Sequence, residues 1–191
     1  MNTPDRTISE KAIFSLFSGD DPEIVASPFA LLAHSNLLAT GTLMLLDRPE
    51  QLAKLKADFS LVPAAVEELL RFNGPATIAG PRYAAEDMEF AGQQIQKGDM
   101  VFPVLLSANH DESQFTDPEE LDIARELTHH LAFGHGIHSC LGAPLARLEG
   151  DIAFTTLLGR MPNLHLSVPR ESITWNFALN SWSLTALPVA F

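Results

Sequence analysis

The stretch FGHGIHSCLGAPLAR, residues 133–147, contains Cys140, the only cysteine of this 191-residue chain. Gly134, Gly136 and Gly142 surround that cysteine, and the residues after it have the composition of a helix start. Glycine permits tight backbone turns and the close approach of a flat partner. The unpaired N–H groups at a helix N-terminus stabilise a thiolate. The stretch therefore indicates a thiol with a chemical role, although an isolated cysteine often only fills a core.

Two other chemistries are open for this thiol. A nucleophilic cysteine needs a base, and His138 and His135 lie two and five residues before Cys140. A zinc site would use the same three side chains. It would lack a second cysteine and the usual spacing of zinc ligands.

The composition limits the class of protein. The length predicts one domain, and 46% hydrophobic with 19% charged residues suits a packed core. No run of eighteen apolar residues indicates a membrane span, and the N-terminus does not resemble a signal peptide. A net charge of −12 argues against binding to nucleic acid or to an anionic membrane. We expect a cytoplasmic protein without an intrachain disulfide.

Local patterns predict a mainly helical chain with small β-sheets. Helices are expected over residues 8–17, 29–46, 61–72 and roughly 141–159, with a short amphipathic helix from Pro49. Strands joined by turns at Ala91-Gly92 and Lys97-Gly98 are expected over residues 81–106, and further strands in the tail. Residues 107–130 read as a long irregular passage.

The Cys140 stretch closely resembles the haem-binding loop of the cytochrome P-450 family, in particular its bacterial soluble members. The family pattern Phe-Gly-x-Gly-x-His/Arg-x-Cys-x-Gly is matched from Phe133 to Gly142. The resemblance covers about residues 36–191 and implies the C-terminal half of the family fold. The division expected from it is a divergent segment, residues 1–27, followed by a P-450-like haem-binding half-domain, residues 28–191.

The resemblance also implies a cofactor and a set of site residues. Cys140 would be the thiolate ligand of the iron of haem b. The residues implied to contact the cofactor are Arg82, Phe133, Gly134, His138, Cys140, Gly142 and Ala146. In the family, the counterparts of Arg82 and His138 bind the haem propionates.

A structural lock for the loop is implied by two more matches. Glu68 and Arg71 resemble the family's Glu-x-x-Arg pair, and Arg125 lies where the family has a third, locking arginine. Charge-assisted hydrogen bonds among the three would fix the loop that carries the cysteine. The segment ANHDESQFTDPEELD also resembles the family, with His110 in place of an arginine.

The front and the tail of the chain depart from the family. The oxygen-activating acid–alcohol pair should fall at Leu32 and Ala33, and neither side chain can relay a proton. The catalytic residues are therefore unknown from the sequence, and His34, near the distal position, is expected to be structural. Trp175 and Trp182 replace family residues near the last hairpin, which bears on the shape of the pocket.

The implied function is that of a haem-thiolate monooxygenase, which oxidises a small organic substrate with dioxygen or peroxide. The resemblance implies a ferredoxin- or flavin-type electron donor. Because family members are about twice as long, we also expect a homo-oligomer or a partner protein to cover apolar surface. The alternative is a truncated, non-catalytic module that binds haem or a partner.

Overall fold

A computed structural model describes residues 6–8, 28–126 and 129–191, with the backbone alone for residues 6–8 and 28–34. Its α-helices are α1 (Pro28–Leu46), α2 (Pro49–Ala57), α3 (Val62–Asn73), α4 (Leu105–Ala108) and α5 (Ala143–Arg160). Its strands are β1 (Arg6–Ile8), β2 (Arg82–Tyr83), β3 (Met88–Phe90), β4 (Gln93–Ile95), β5 (Met100–Val101), β6 (His165–Leu166), β7 (Trp175–Phe177), β8 (Trp182–Leu184) and β9 (Leu187–Ala190). Short 3-10 turns occupy Phe59–Leu61, Gly136–His138 and Arg170–Ser172.

Proline sets the start of three helices. α2, α3 and α5 each have a proline in their first two positions, where its missing N–H costs no hydrogen bond. α3 ends at Asn73, directly before Gly74, which leaves the helical conformation with ψ 156°. The helices predicted from Phe29, Pro49, Leu61 and Leu141 are thus confirmed to within about two residues at each end.

The helices α1, α3 and α5 pack against one another and form the centre of the core. Gly41 permits the close approach of α1, because a Cβ there would lie 2.8 Å from Cζ of Phe154 on α5. Gly150 of α5 similarly faces Val66 of α3, whose Cγ1 would lie 3.0 Å from an added Cβ. A second apolar cluster, around Leu43 and Val189, joins α1 to the C-terminal strands.

The strands form small antiparallel sheets. β1, β9 and β6 make one sheet, in which Arg6 pairs with Val189, and β2–β5, β3–β4 and β7–β8 are two-stranded. Ala91 and Gly92, with φ of 50° and 76°, form the β3–β4 turn, and Gly98 has φ of 92°. The strands and both turns predicted between residues 81 and 106 are therefore confirmed.

The N-terminal expectations are tested only in part. Ile8, the expected start of a helix, is the last residue of β1, where its backbone pairs with Leu187. The rest of that expected helix, residues 9–17, lies outside the described residues. The boundary between residues 27 and 28 stays a prediction, although α1 does begin at Pro28. Among the described residues, no helix is both long and apolar enough to cross a membrane.

Candidate functional site

The Cys140 loop is a closed, hydrogen-bonded turn. The N–H of Cys140 donates to the carbonyl of Phe133 at 2.8 Å, which closes the loop at its base. The N–H of Ser139 donates to the carbonyl of Gly136 at 3.0 Å. Gly134 and Gly136 have φ of 70° and 76°, in the left-handed region that other residues rarely adopt. The glycines of the motif are thus needed for the backbone path that presents the cysteine.

The thiol of Cys140 is exposed, which excludes a role as a packed core side chain. Its neighbours Ile137 and Leu141 are 96% and 100% exposed, although both are large and apolar. At Gly136 a Cβ would meet nothing within 4 Å, so the backbone beside the thiol is open. An exposed sulfur donor between exposed apolar side chains fits a flat, largely apolar group with a metal at its centre, such as haem.

The two alternative thiol chemistries find no support in the described residues. In the described residues, no three His, Cys, Asp or Glu side chains lie together as a metal site would require. This holds for His135, His138 and Cys140, since all three are described. In the same residues, neither histidine forms a hydrogen bond with Sγ that would activate it as a nucleophile.

The other residues implied to contact the cofactor lie in different environments. Phe133 packs against the main core, and Ala146 is buried in α5 with 6% exposure. His138 is exposed on the loop, as is Arg82 on β2. The guanidinium of Arg82 turns back to donate to the carbonyl of Gly80 at 3.1 Å. The cofactor roles of these residues stay predictions.

The implied lock forms a connected network. Glu68 and Arg71 have fully buried side chains, and two hydrogen bonds of 2.7 and 2.9 Å join them. Nε of Arg125 donates to Oε1 of Glu68 at 3.2 Å, so all three residues meet at one carboxylate. A bidentate pair whose carboxylate also receives a second cation compensates for the cost of burying these charges.

Asn109 connects this lock to the Cys140 loop. Nη1 of Arg71 donates to the carbonyl of Asn109 at 2.9 Å, and Oδ1 of Asn109 accepts the N–H of Leu131 at 2.6 Å. The N–H of Gly134 in turn donates to the carbonyl of Leu131 at 2.9 Å. The sequence offered no direct signal for this role, because the bond from Asn109 spans 22 residues of an irregular passage.

His110, which stands where the family resemblance expects arginine, also fastens this passage. Its Nδ1 lies 3.0 Å from Oε1 of Glu119, and its Nε2 lies 2.9 Å from the carbonyl oxygen of Phe72. Both partners are acceptors, so only the doubly protonated ring can donate to both at once. His110 therefore joins α3 to the irregular passage.

A cleft of about 710 Å³ opens between the C-terminal end of α3 and the β7–β8 hairpin. Trp175 and Trp182 line it together with Phe72, Thr77 and His110. The two tryptophans singled out in the sequence thus do shape a cavity. Leu32, Ala33 and His34 lie in α1, but their side chains are outside the described part of the chain.

Comparison with known proteins agrees with this architecture. Residues 48–177 match the family profile Cytochrome P450. Cytochrome P450 CYP107DY1 of Priestia megaterium is 50% identical over 157 residues, which cover 82% of this chain and 38% of that protein. Cytochrome P450 monooxygenase PikC of Streptomyces venezuelae is 46% identical over 154 residues, which cover 81% of this chain and 37% of that protein.

A solved structure of the cytochrome P450 enzyme CxnD, for C–S bond formation in chuangxinmycin biosynthesis, superposes with a TM-score of 0.80. It is 46% identical, and the match covers 83% of this chain and 39% of that one. The chain belongs to the cytochrome P450 family, whose members bind haem b, and its fold is that of the part of the family structure it matches. It spans about 38% of the length of the curated relatives it matches.

Proposed function

We propose that this chain carries the thiolate side of the haem b site of a P450-type monooxygenase, which oxidises a small organic substrate with dioxygen or peroxide. One observation carries the proposal: the only thiol of the chain is exposed on a loop that is fastened, through Asn109, to the buried Glu68–Arg71 pair. Burying two charges carries a desolvation cost, so we take this buried pair to be kept for the geometry that it fixes. Here the geometry they serve is that of the Cys140 loop.

The site residues have distinct roles in this proposal. Cys140 would bind the iron as an anion, and Phe133, Gly134, Gly142 and Ala146 would shape the wall against which the cofactor lies. Arg82 and His138, both exposed, would donate to its propionates. Haem bound there would supply the activation of dioxygen or peroxide.

Proton supply favours peroxide as the oxidant. Leu32 and Ala33 are hydrocarbon side chains and cannot relay the protons that dioxygen chemistry requires. Peroxide brings its own protons and electrons, whereas the dioxygen route needs a ferredoxin- or flavin-type donor. We expect oxidation of a generic aromatic substrate by peroxide to exceed oxidation driven by a ferredoxin and its reductase. Turnover that requires the donor system would contradict this part of the proposal.

The thiolate ligand is tested by the spectrum of the reduced protein with carbon monoxide. We expect the red-shifted Soret band of thiolate ligation in the wild-type chain and its loss in Cys140→Ala. Ser139→Ala, on the same exposed loop, is the matched control and should keep the band. A wild-type chain without that band would overturn the proposal.

A second candidate, a non-catalytic module that binds a partner, is favoured by exposed apolar surface. The large apolar side chains that are exposed in the described residues include Tyr83, Phe90, Met100, Leu141, Phe177 and Leu179. Such surface is usually covered by protein. We propose that a second copy or a partner protein covers it here. Sedimentation of the purified chain tests the second copy, since a dimer would support self-association and a monomer would contradict it.

The proposed location is the cytoplasm, where reducing conditions keep an exposed thiol such as Cys140 available as a ligand. Fractionation of cells that express the full protein tests the location. Recovery in an oxidising compartment would contradict it.

A further inference from the structure

A second ionic cluster, separate from the Glu68 lock, lies beside the Cys140 loop. Glu67, one residue before Glu68 on α3, receives side chains from two different segments. Nε of Arg147 lies 2.6 Å from its Oε1, and Nη2 of Arg147 lies 3.0 Å from its Oε2. Nε2 of His130 also lies 3.0 Å from Oε2. A single carboxylate thus receives three hydrogen bonds.

The two partners of Glu67 lie on opposite sides of the loop in the sequence. His130 precedes Cys140 by ten residues, and Arg147 follows it by seven. Both flanks of the loop are therefore attached to the same carboxylate on α3. The Glu68 lock differs, since it reaches the loop only from its N-terminal side, through Asn109 and Leu131.

Phe133 links this cluster to the backbone of the cysteine. The guanidinium carbon of Arg147 lies 4.8 Å from the centroid of the Phe133 ring, and the His130 ring lies 5.9 Å from it. The carbonyl of Phe133 accepts the N–H of Cys140 at 2.8 Å. A continuous chain of contacts therefore runs from Glu67 to the residue that carries the thiol.

The hydrogen bonds define the proton position on His130. Its Nδ1 accepts the N–H of Ala132 at 3.1 Å, so the ring proton is on Nε2, which donates to Glu67. The His130 side chain is only 4% exposed. One nitrogen is thus used to hold the loop backbone and the other to hold α3.

The pKa values of the charged groups keep the Glu67–Arg147 pair ionised near neutral pH. Partial burial by itself would raise the pKa of Glu67, but hydrogen bonds from His130 and Arg147, together with the charge of Arg147, lower that pKa to about 2. The hydrogen bond to Glu67 raises the pKa of Arg147. Asp151 is a further charged group near Glu67, and its pKa is raised by burial and by the charge of Glu67. Glu67 and Arg147 are both ionised near neutral pH.

We propose that Glu67, His130 and Arg147 are positioning residues that clamp both flanks of the Cys140 loop and so hold the thiol in place. The clamp rests on the proposed function only in that a thiol that binds haem iron must be held in a fixed position. Its geometry concerns the protein alone, and its test can be read without haem.

The test is amide hydrogen exchange of the full chain, measured by mass spectrometry on peptides that cover residues 130–142. Arg147→Ala should speed exchange of the Cys140 and Gly134 amides about fivefold, the size expected for a partly exposed ion pair. Arg147→Lys keeps the charge but loses the two-pronged contact, and it should give an intermediate rate. The Arg147→Lys variant also provides the test if Arg147→Ala fails to fold.

The chain contains a matched control in the Arg170–Asp47 pair. Its Nε–Oδ2 distance is 2.8 Å, and its side chains are 44% and 29% exposed, against 44% and 27% for Arg147 and Glu67. Arg170→Ala should leave exchange of residues 130–142 unchanged. Equal acceleration in Arg170→Ala, or no acceleration in either Arg147 variant, would overturn the clamp.

The carbon monoxide spectrum separates the clamp from the proposed function. If the wild-type chain shows the thiolate band, the clamp predicts that Arg147→Ala loses part of that band while Arg170→Ala keeps it. A full band in Arg147→Ala would count against the clamp. If the wild-type chain shows no such band, the proposed function fails, and the exchange rates still decide whether the clamp exists.

Discussion

The side-chain oxygen of Asn109 accepts the backbone N–H of Leu131 at 2.6 Å, and Asn109 itself is only 2% exposed. This contact joins a residue after α4 to the segment that leads into the Cys140 loop. Arg71 donates a hydrogen bond to the carbonyl of the same asparagine. Asn109 therefore connects the buried ion pair to the loop.

Asn109→Ala is expected to lower the free energy of unfolding by about 1–3 kcal/mol, since it leaves a partly buried N–H without its acceptor. Urea denaturation measures the change. Asn163→Ala, at an exposed asparagine, should change stability by less than about 0.5 kcal/mol. Similar losses in the two variants would contradict the role given to Asn109.

Arg71→Ala is expected to cost about 3–5 kcal/mol, because it leaves the fully buried carboxylate of Glu68 without its main partner. Arg170→Ala breaks an exposed pair and should cost about 0–1 kcal/mol. Urea denaturation compares the two, and haem content after purification gives a second measurement. Normal stability and haem content in Arg71→Ala would count against the lock.

Gly41→Ala and Gly159→Ala should change stability in opposite directions. A Cβ at Gly41 would lie 2.8 Å from Phe154 and 3.1 Å from Leu69, and such overpacking costs about 1–3 kcal/mol. A Cβ at Gly159, inside α5, would meet nothing within 4 Å. Alanine there should therefore stabilise the helix by up to about 1 kcal/mol. Thermal unfolding followed by circular dichroism measures both, and a shift of the same sign in each would refute the packing argument.

The acid sensitivity of the wild-type chain should depend on Glu67. Its pKa falls from an ordinary 4.5 to about 2 in the folded protein, through the contacts with His130 and Arg147 that outweigh its burial. A lowered pKa contributes stability above the unfolded value and loses it as the pH falls toward the folded value. Between about pH 4.5 and 2, the urea midpoint of the wild-type chain should therefore fall more steeply than that of Glu67→Gln. If the urea midpoints of the two proteins fall in parallel with pH, Glu67 does not cause the acid sensitivity.

Local sequence patterns located most of the regular elements. Proline in the first turn located α3, and Ala91-Gly92 located the β3–β4 turn, because these residues restrict the backbone wherever they occur. The family resemblance predicted that Glu68, Arg71 and Arg125 form one network, and the structure brings them together.

Contacts between distant segments were not predictable in this way. Glu67 looked like an ordinary surface residue of a helix, yet it meets His130, 63 residues later, and Arg147, 80 residues later. The residues next to Glu67, His130 and Arg147 in the sequence carry no signal that these three side chains meet. The pairing of β1 with β9 was missed for the same reason, since it depends on where the last strand lies.

The single, exposed thiol of Cys140 also governs how the protein behaves in air. A chain with one sulfhydryl can form one covalent bridge to another copy, and then has none left. Oxidation during storage would thus yield linked pairs that grow no further, and each bridge would consume two of the thiols proposed to bind iron. Preparations kept without a reductant would lose the proposed thiolate band in proportion to the pairs they contain.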